Sequence, residues 1–278
     1  MKRCTHILAG IWWLAAIAAI PVRANTISVY ISPATMQYSE VSGVSVSNFD
    51  AMTVGNRTSA YVSLIGTYAA SKSSPFAVMA PDQYGGATDP TNPTTPTNYI
   101  AIGAESGTSA PVTLTLTQPA DYFGLWLSAA DANNGISFYS GNYLIARFST
   151  QMLITLLNGG TGNVTALSGA QYATSSYFGN PNAPAGRDTT ESFAFVDFVA
   201  NGFTFNKVVF DNNGTTGTGF ESDNHSVLTT APTISTDHVL VGNLTEDVPE
   251  PAAALLLAGG LMLIAAARRR GLGAPRPR

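Results

Sequence analysis

The sequence predicts an all-β protein, an antiparallel β-sandwich of jelly-roll type, on three observations. Apolar and polar residues alternate at a period of two along several segments, as from Val112 to Thr117. Clusters of Asp, Asn and Gly separate these segments and favour tight turns. No long stretch of the body has the three-and-four spacing of a helix. The predicted strands are 26–31, 44–49, 112–117, 136–139, 193–198 and 203–210.

The first 24 residues have the pattern of a cleaved signal peptide. A basic start from Met1 to Arg3 precedes an apolar stretch of 14 residues from Ile7 to Ile20, and a small residue stands at Ala24. The stretch is short for a bilayer core of roughly 30 Å. We therefore expect signal peptidase to cut between Ala24 and Asn25 and the mature chain to be exported.

The body, residues 25–241, is acidic and has no cysteine. All 17 acidic residues lie between Glu40 and Glu250, whereas five basic residues lie between Asn25 and Pro251, so that stretch has a formal charge of 5 minus 17, or −12. This charge repels phosphate backbones, and we expect no nucleic-acid partner. Cys4 leaves with the signal peptide, so one hydrophobic core must hold the domain together without disulfides.

Two polar segments are predicted to lack regular structure. Residues 89–97 contain three prolines, which cannot donate into a β-ladder, so this Pro/Thr-rich segment is predicted to be an exposed loop of the body. Residues 242–247 are polar and acidic, and we interpret them as a spacer that holds the body away from the membrane.

The C-terminal tail, 248–270, combines a short motif, an apolar run and a basic cluster in that order. The motif is Val248, Pro249, Glu250 and Pro251. The apolar run, 252–267, is 16 residues long and as a helix would reach about 24 Å, which is short for a permanent membrane span. The basic cluster, which predicts a cytoplasmic side, is Arg268, Arg269 and Arg270. Residues 271–278 would then form a cytoplasmic tail.

Together these features resemble the PEP-CTERM proteins of Gram-negative bacteria. The resemblance implies that the membrane peptidase exosortase recognises Pro249, Glu250 and Pro251 while the apolar helix anchors the chain in the inner membrane. Processing would then deliver the protein to the cell surface or extracellular matrix. Segments 122–131, 136–141 and 219–225 also resemble a recurrent family of exosortase-dependent surface proteins. The alternative for the tail is a plain anchor that is never cut.

The sequence offers no catalytic signature for the body. It has no G-x-S-x-G elbow, no H-E-x-x-H helix and no P-loop. His225 and His238 are the histidines left after signal cleavage, and no serine is marked as a triad partner. We therefore expect a non-enzymatic structural or adhesive role in exopolysaccharide or biofilm. A carbohydrate-active hydrolase is an alternative, because sequence spacing does not report the distance between two carboxylates.

Oxygen-bearing side chains on two nearby segments suggest calcium as a cofactor. Calcium prefers six to eight oxygen ligands, and four residues near the C-terminal end of the body could supply some of them. The candidate ligands are Asp211, Asn213, Glu221 and Asp223. The alternative is that these residues form turns, since Asp and Asn bond their own backbone and tolerate left-handed geometry.

Aromatic side chains suggest another possible function, that of a lectin-like module that binds glycans in a calcium-dependent way. Trp126 lies between two leucines in a predicted strand, on a face whose exposure the alternation leaves open, and Tyr172 and Tyr177 lie in a loop-like stretch between Gly169 and Gly186. Exposed rings there could stack on sugars of an exopolysaccharide. The alternative is that they belong to the core, as most aromatic side chains do.

Overall fold

The computed structural model describes residues 26–91, 93–182 and 188–245. These residues form the all-β fold that the sequence predicts, with one α-helix among the described residues. The helix α1 is Thr150–Leu157, and short 3₁₀ segments cover Asn158–Gly160 and Thr174–Tyr177. The strands are β1 (Thr26–Ile31), β2 (Ser45–Ser47), β3 (Gly55–Arg57), β4 (Tyr61–Val62), β5 (Gly66–Ala69), β6 (Phe76–Met79), β7 (Tyr99–Gly103), β8 (Val112–Ala120), β9 (Tyr122–Ala130), β10 (Gly135–Ser140), β11 (Tyr143–Ser149), β12 (Asn163–Thr165), β13 (Gln171–Ala173), β14 (Ser192–Asn201), β15 (Phe205–Asp211), β16 (Gly219–Leu228) and β17 (Val239–Thr245).

The strands form two large antiparallel sheets and a small two-stranded one. The first sheet has nine strands in the order β17-β1-β14-β9-β16-β7-β6-β3, with β2 also paired to β16. The second has six strands in the order β11-β10-β15-β8-β5-β4, and β12 pairs with β13. Every strand pair in the described residues is antiparallel, as the hairpin turns of the sequence indicate. The finer jelly-roll assignment stays a prediction.

One aromatic core lies between the inner faces of the two large sheets. Phe123 and Phe198 of the nine-stranded sheet face Phe138 and Phe210 of the six-stranded sheet, with ring centroids 4.9 to 6.2 Å apart across the interface. Such pairs stabilise a core beyond the area that they bury. The alternation predicted along β8 holds for its first residues, which place every second side chain in this core.

A third layer covers the outer face of the nine-stranded sheet. Nearly every residue of β9, β14 and β16 is buried, on both faces of the sheet. The connection between β6 and β7 supplies part of this cover, because Tyr84 and Ala87 pack against Trp126. Asn224 holds this connection against the sheet by donating a hydrogen bond of 2.8 Å to the carbonyl oxygen of Thr88. The central strands are therefore enclosed between the core and a layer of loops.

The end of the body differs from the sequence prediction. Residues 242–245, predicted as part of a spacer, belong to β17, which pairs with β1 so that Leu244 lies opposite Ile27. The Leu244 side chain is buried, and Asn243 accepts a 2.7 Å hydrogen bond from the Ser28 hydroxyl. The polar residues here complete a sheet edge, so the spacer prediction is wrong for this stretch. Residues 246 and 247 lie outside the described residues.

Helix α1 begins and ends with local capping signals. The Ser149 hydroxyl accepts a hydrogen bond from the Gln151 N–H at its start, and Asn158 adopts the left-handed conformation at its end. Leu153 and Leu157 lie one helical turn apart and face the core. Two apolar anchors in eight residues are too few to produce a clear helical period in the sequence. Across 26–91, 93–182 and 188–245, no helix has the length and apolar character to cross a membrane.

Candidate functional site

Four neighbouring strand ends of the nine-stranded sheet bring five carboxyl groups to one cavity. Glu105 follows β7, Asp131 follows β9, and Glu191 immediately precedes β14. Because β7, β16, β9 and β14 lie side by side and alternate in direction, these ends meet at one edge of the sheet. The cavity has a volume of about 260 Å³. We call it the acid pocket, and its lining includes Tyr84, Glu105, Asp131, Asp188, Glu191 and Glu221.

Glu221 is the most enclosed carboxylate of the acid pocket. Its side chain is 3 % exposed, and its neighbour in the pocket is the Glu105 carboxyl group. A Cβ atom at Gly219 would overlap Oε1 of Glu221 and lie 2.5 Å from Oε2 of Glu105. Glycine at this position therefore leaves the space in which the two carboxyl groups approach each other. Glu105 Oε2 is itself buried, and the Glu105 carboxyl group shares a hydrogen bond with that of Glu221.

The electrostatics of the acid pocket favour protonated carboxyl groups. Burial, then the charge and hydrogen bond of Glu105, raise the pKa of Glu221 well above its usual value. Burial, then the charges of Asp188 and Asp131, raise the pKa of Glu191 to about 7. No lysine or arginine among the described residues lines the cavity. The acid pocket is therefore a site whose charge changes near neutral pH and whose carboxyl groups share hydrogen bonds with one another.

The structure does not bring the four predicted calcium ligands to one point. Asp211 accepts hydrogen bonds from the guanidinium of Arg147 through both carboxylate oxygens. Glu221 faces the acid pocket, and Asp223 is buried further along β16, where its carboxylate receives a 3.3 Å hydrogen bond from Thr97. Within the described ranges, no three His, Cys, Asp or Glu side chains form a group suited to a metal ion. The predicted grouping is wrong.

The turn interpretation fits the segment after β15. The Asn213 N–H donates a 3.0 Å hydrogen bond to the Asp211 carboxylate, and Asn213 has a φ of 43°. Gly214 follows with a φ of 78°. These are the local bonds and left-handed geometry typical of an Asx turn.

Substitution of Asp211 by asparagine is expected to lower the free energy of unfolding by about 0.2–1 kcal/mol, because the ion pair with Arg147 is partly exposed. Urea unfolding of Asp211→Asn, Arg147→Gln and the double variant would measure their coupling. Asp237→Asn, at an exposed position, is the control. The loss should be equal with calcium and with a chelator. A loss that appears in calcium alone would contradict this prediction and support a metal ligand at Asp211.

The predicted glycan-contact residues have different surroundings. Trp126 is 0 % exposed and packs against Phe193 with ring centroids 6.2 Å apart, so the prediction of a sugar contact is wrong for it. Tyr177 is 1 % exposed, and its hydroxyl donates a 3.1 Å hydrogen bond to the Ser32 carbonyl oxygen, which gives it a structural position too. Tyr172 is half-buried on β13. Of the three, Tyr172 alone keeps an accessible ring.

A buried Ser–His–Asp cluster lies elsewhere on the nine-stranded sheet. His238 Nε2 is 3.0 Å from the Ser32 hydroxyl and 3.3 Å from Asp197 Oδ2. A catalytic triad would place serine and aspartate on opposite ring nitrogens, but here both contact Nε2. The Tyr122 hydroxyl donates a 2.6 Å hydrogen bond to Asp197, and all four side chains are buried. The cluster therefore ties β1, β14, β9 and the start of β17 together.

Sequence reasoning found one member of the acid pocket and missed the others. Glu221 was assigned to a calcium loop, whereas Glu105, Asp131, Asp188 and Glu191 were not singled out. Each of them lies close to a strand end, and a cluster of acids at strand ends is visible in the sequence only when the strand order is known. The pairing of β7 with β16, in which Gly103 lies opposite Gly219, supplies part of this strand order.

The predicted signal peptide, 1–24 with Ala24 and Asn25 at its cleavage point, and the tail, 248–278, lie outside the described residues. Comparison with known families identifies the PEP-CTERM protein-sorting motif at residues 247–270. This match confirms the sorting tail predicted from Val248, Pro249, Glu250 and Pro251. No curated protein matches the chain.

Comparison with solved structures finds catalytic domains of GH87 α-1,3-glucanases. A D1069A variant in complex with tetrasaccharides is 17 % identical, with a TM-score of 0.34 over 72 % of this chain and 30 % of that chain. A D1045A variant in complex with nigerose is 15 % identical, with a TM-score of 0.32 over 69 % of this chain and 29 % of that chain. The chain thus spans less than a third of these structures, and such scores do not establish a shared fold.

Proposed function

We propose that this exported, exosortase-targeted protein is delivered to the cell surface or extracellular matrix and has a structural or adhesive role in exopolysaccharide. The sorting motif supports the proposal, because it implies a chain that is exported and held in the membrane before processing. The body precedes the motif and ends its last strand at Thr245, so processing at the tail leaves every described strand in the product. The product is then a folded domain released outside the cytoplasm.

Processing is tested in the source organism with the full chain. Replacement of Pro249 and Glu250 by alanine should leave uncut protein in the membrane fraction and deplete the matrix fraction. Pro275→Ala, beyond the matched residues, is the control and should behave as the unmodified chain. Immunoblots of the two fractions measure both forms. Matrix delivery of the doubly substituted chain at the unmodified level would contradict the proposal.

The adhesive role is tested with processed protein recovered from the source organism. We expect it to sediment saturably with the exopolysaccharide of that organism and to stay in solution without it. Protein that does not sediment with the polysaccharide would contradict the adhesive role and leave only the structural role.

Calcium-dependent glycan binding is the second candidate, and its support is the accessible ring of Tyr172 on β13. Sedimentation in a chelator distinguishes the two, because a lectin-like module should lose binding when calcium is removed.

Hydrolysis is the third candidate. The pKa of about 7 at Glu191 lies in the range that a general acid uses, and release of sugar from the polysaccharide would favour hydrolysis over the non-enzymatic role proposed.

A further inference from the structure

Both ends of the body leave the nine-stranded sheet at the same place. β1 begins at Thr26 and β17 ends at Thr245, and these two residues lie opposite each other in an antiparallel pair. Asn201, the last residue of β14, lies opposite Thr26 on its other side. We call this end of the sandwich the exit end. We propose that apolar side chains of the exit end rest on the surface of the lipid bilayer while the sorting tail holds the chain in the membrane. This orientation rests on the proposed function, which supplies the membrane-held state.

The sequence after the body limits how far the exit end can lie from the bilayer. Six residues, 246–251, separate Thr245 from the apolar run 252–267. An extended chain spans about 3.3–3.6 Å per residue, so six residues reach about 20 Å at most. The predicted signal peptide would add a second restraint beside Thr26 until it is cleaved. The exit end is therefore the part of the body closest to the bilayer.

Short connections carry the exit end across to the six-stranded sheet. One residue joins β8 to β9, and three join β14 to β15. The β10–β11 hairpin lies beside them, because its Gly141 N–H donates a 2.9 Å hydrogen bond to the Asn206 side chain near the start of β15. The β4–β5 turn lies here too, since Leu64 lines a cavity together with Leu228, the last residue of β16. The exit end therefore presents turns from both sheets.

These turns carry exposed apolar side chains. Val62, Leu64 and Tyr143 are 73 to 80 % exposed, and Leu144 is 42 % exposed. Leu144 lines a cavity together with Thr245, so it lies beside the point where the chain leaves the body. Single exposed apolar residues are common on soluble proteins, but these share the end that the tail holds near lipid. Tyrosine is enriched at membrane–water interfaces, where its ring and its hydroxyl meet different surroundings.

The charges of the body favour the same orientation. The carboxyl groups of the acid pocket follow β7 and β9 or precede β14, which places them at the end of the nine-stranded sheet opposite the exit end. The connections at the exit end and the start of β15 carry Asp121 and Lys207, whose formal charges cancel. Anionic headgroups therefore repel the acid pocket more than the exit end. We expect the contact to be apolar and insensitive to salt.

So few apolar side chains make a contact that depends on the tether. The tail makes the contact intramolecular, at the high effective concentration of a short linker, and cleavage of the tail removes that advantage. We therefore expect the processed body to leave the bilayer, as delivery to the cell surface or matrix requires.

Fluorescent labels on single cysteines test this orientation in the full chain. Cys4→Ser removes the native cysteine, and Leu64→Cys, Tyr143→Cys or Thr189→Cys then accepts one label. Thr189 is exposed and lies just before β14, opposite the exit end. In phosphatidylcholine vesicles with nitroxide-bearing lipid, we expect quenching at positions 64 and 143 to be about threefold or more stronger than at 189. Raised salt should leave this difference unchanged, and processed protein should lose it.

Tyr143→Glu, combined with the label at position 64, tests whether apolar side chains make the contact. A carboxylate at the exit end should lower quenching at position 64 by about half or more, because a charge resists transfer to lipid. Leu167→Glu is the matched control and should leave the quenching unchanged. Leu167 is also exposed, but its N–H donates to the carbonyl oxygen of His238, before the start of β17. Circular dichroism of each variant establishes that it is folded.

Equal quenching at positions 64, 143 and 189, or stronger quenching at 189, would overturn the membrane contact. A second copy of the chain on the exit end would shift the emission of the labels at 64 and 143 without quenching by lipid, and would overturn it as well. If the contact fails while the variant with alanine at Pro249 and Glu250 still accumulates in the membrane fraction, the proposed function stands. Matrix delivery of that variant at the unmodified level, with selective quenching at 64 and 143 in vesicles, would contradict the proposed function and support the contact.

Discussion

Replacement of Trp126 by alanine is expected to lower the free energy of unfolding by about 3–5 kcal/mol. The indole is fully buried between β9 and the connection from β6 to β7, where it contacts Phe193 and the segment containing Ala87. Removal of so large a side chain loses its transfer free energy and leaves a cavity that the surrounding strands can fill only in part. Urea unfolding followed by far-ultraviolet circular dichroism measures the loss.

Tyr143→Ala provides the matched control, because this aromatic ring is 80 % exposed and its removal should change stability by about 0.5 kcal/mol or less. Trp126→Phe should fall between the two, since it keeps part of the packing. If Trp126→Ala lowered the free energy of unfolding by less than about 1 kcal/mol, the result would contradict the burial of Trp126 and make it a candidate surface contact again. The result therefore decides between core and ligand roles for this tryptophan.

Strands with one buried face were predicted from the sequence more readily than strands with two. Of the strands buried on both faces, β14 was predicted as 193–198, but β16 was not. The segment of β1 was predicted with the bounds that the structure has, because its apolar residues recur at every second position. β9 and its neighbour β16 are buried throughout, so their sequences lack that alternation. The cover on their outer face comes from a long connection whose position depends on the whole topology.

The acid pocket and the end of the body illustrate the same limit. Glu105 and Glu221 are separated by more than a hundred residues, and only the pairing of β7 with β16 brings them together. The polar composition of 242–245 predicts a spacer, whereas the buried Leu244 anchors the stretch as an edge strand. Composition reports average polarity, whereas a single buried side chain and the backbone ladder decide whether such a segment pairs.

The largest pH-dependent effect is expected for Asp197→Ala, with a loss of about 3–5 kcal/mol near pH 6. The substitution removes the carboxylate acceptor of the buried Tyr122 hydroxyl and of His238, which keep contacts with Ser39 and Ser32 respectively. Burial alone would lower the pKa of His238, but the hydrogen bond and charge of Asp197, with the charges of Glu40 and Asp237, raise it above 6.5. Protonated His238 is therefore more stable in the folded state than in the unfolded state.

A raised pKa in the folded state adds stability that is fully present below the unfolded pKa of 6.5 and is lost as the pH rises through the folded value. The loss caused by Asp197→Ala should accordingly be larger at pH 6 than at pH 9. His225, whose pKa burial lowers to about 3, destabilises the fold in acid, but it is present in both proteins and cancels in the difference. Urea unfolding at the two pH values measures this difference.

Glu40→Gln is the control for this cluster, because Glu40 is partly exposed and lies 4.0 Å from His238 Nδ1. It should change stability by about 1 kcal/mol or less and leave most of the pH dependence in place. An Asp197→Ala loss that is equal at pH 6 and pH 9 would mean that His238 stays neutral in the fold. Asp197 would then act through its hydrogen bonds to Tyr122 and Ser32, and the interaction with His238 would contribute no charge.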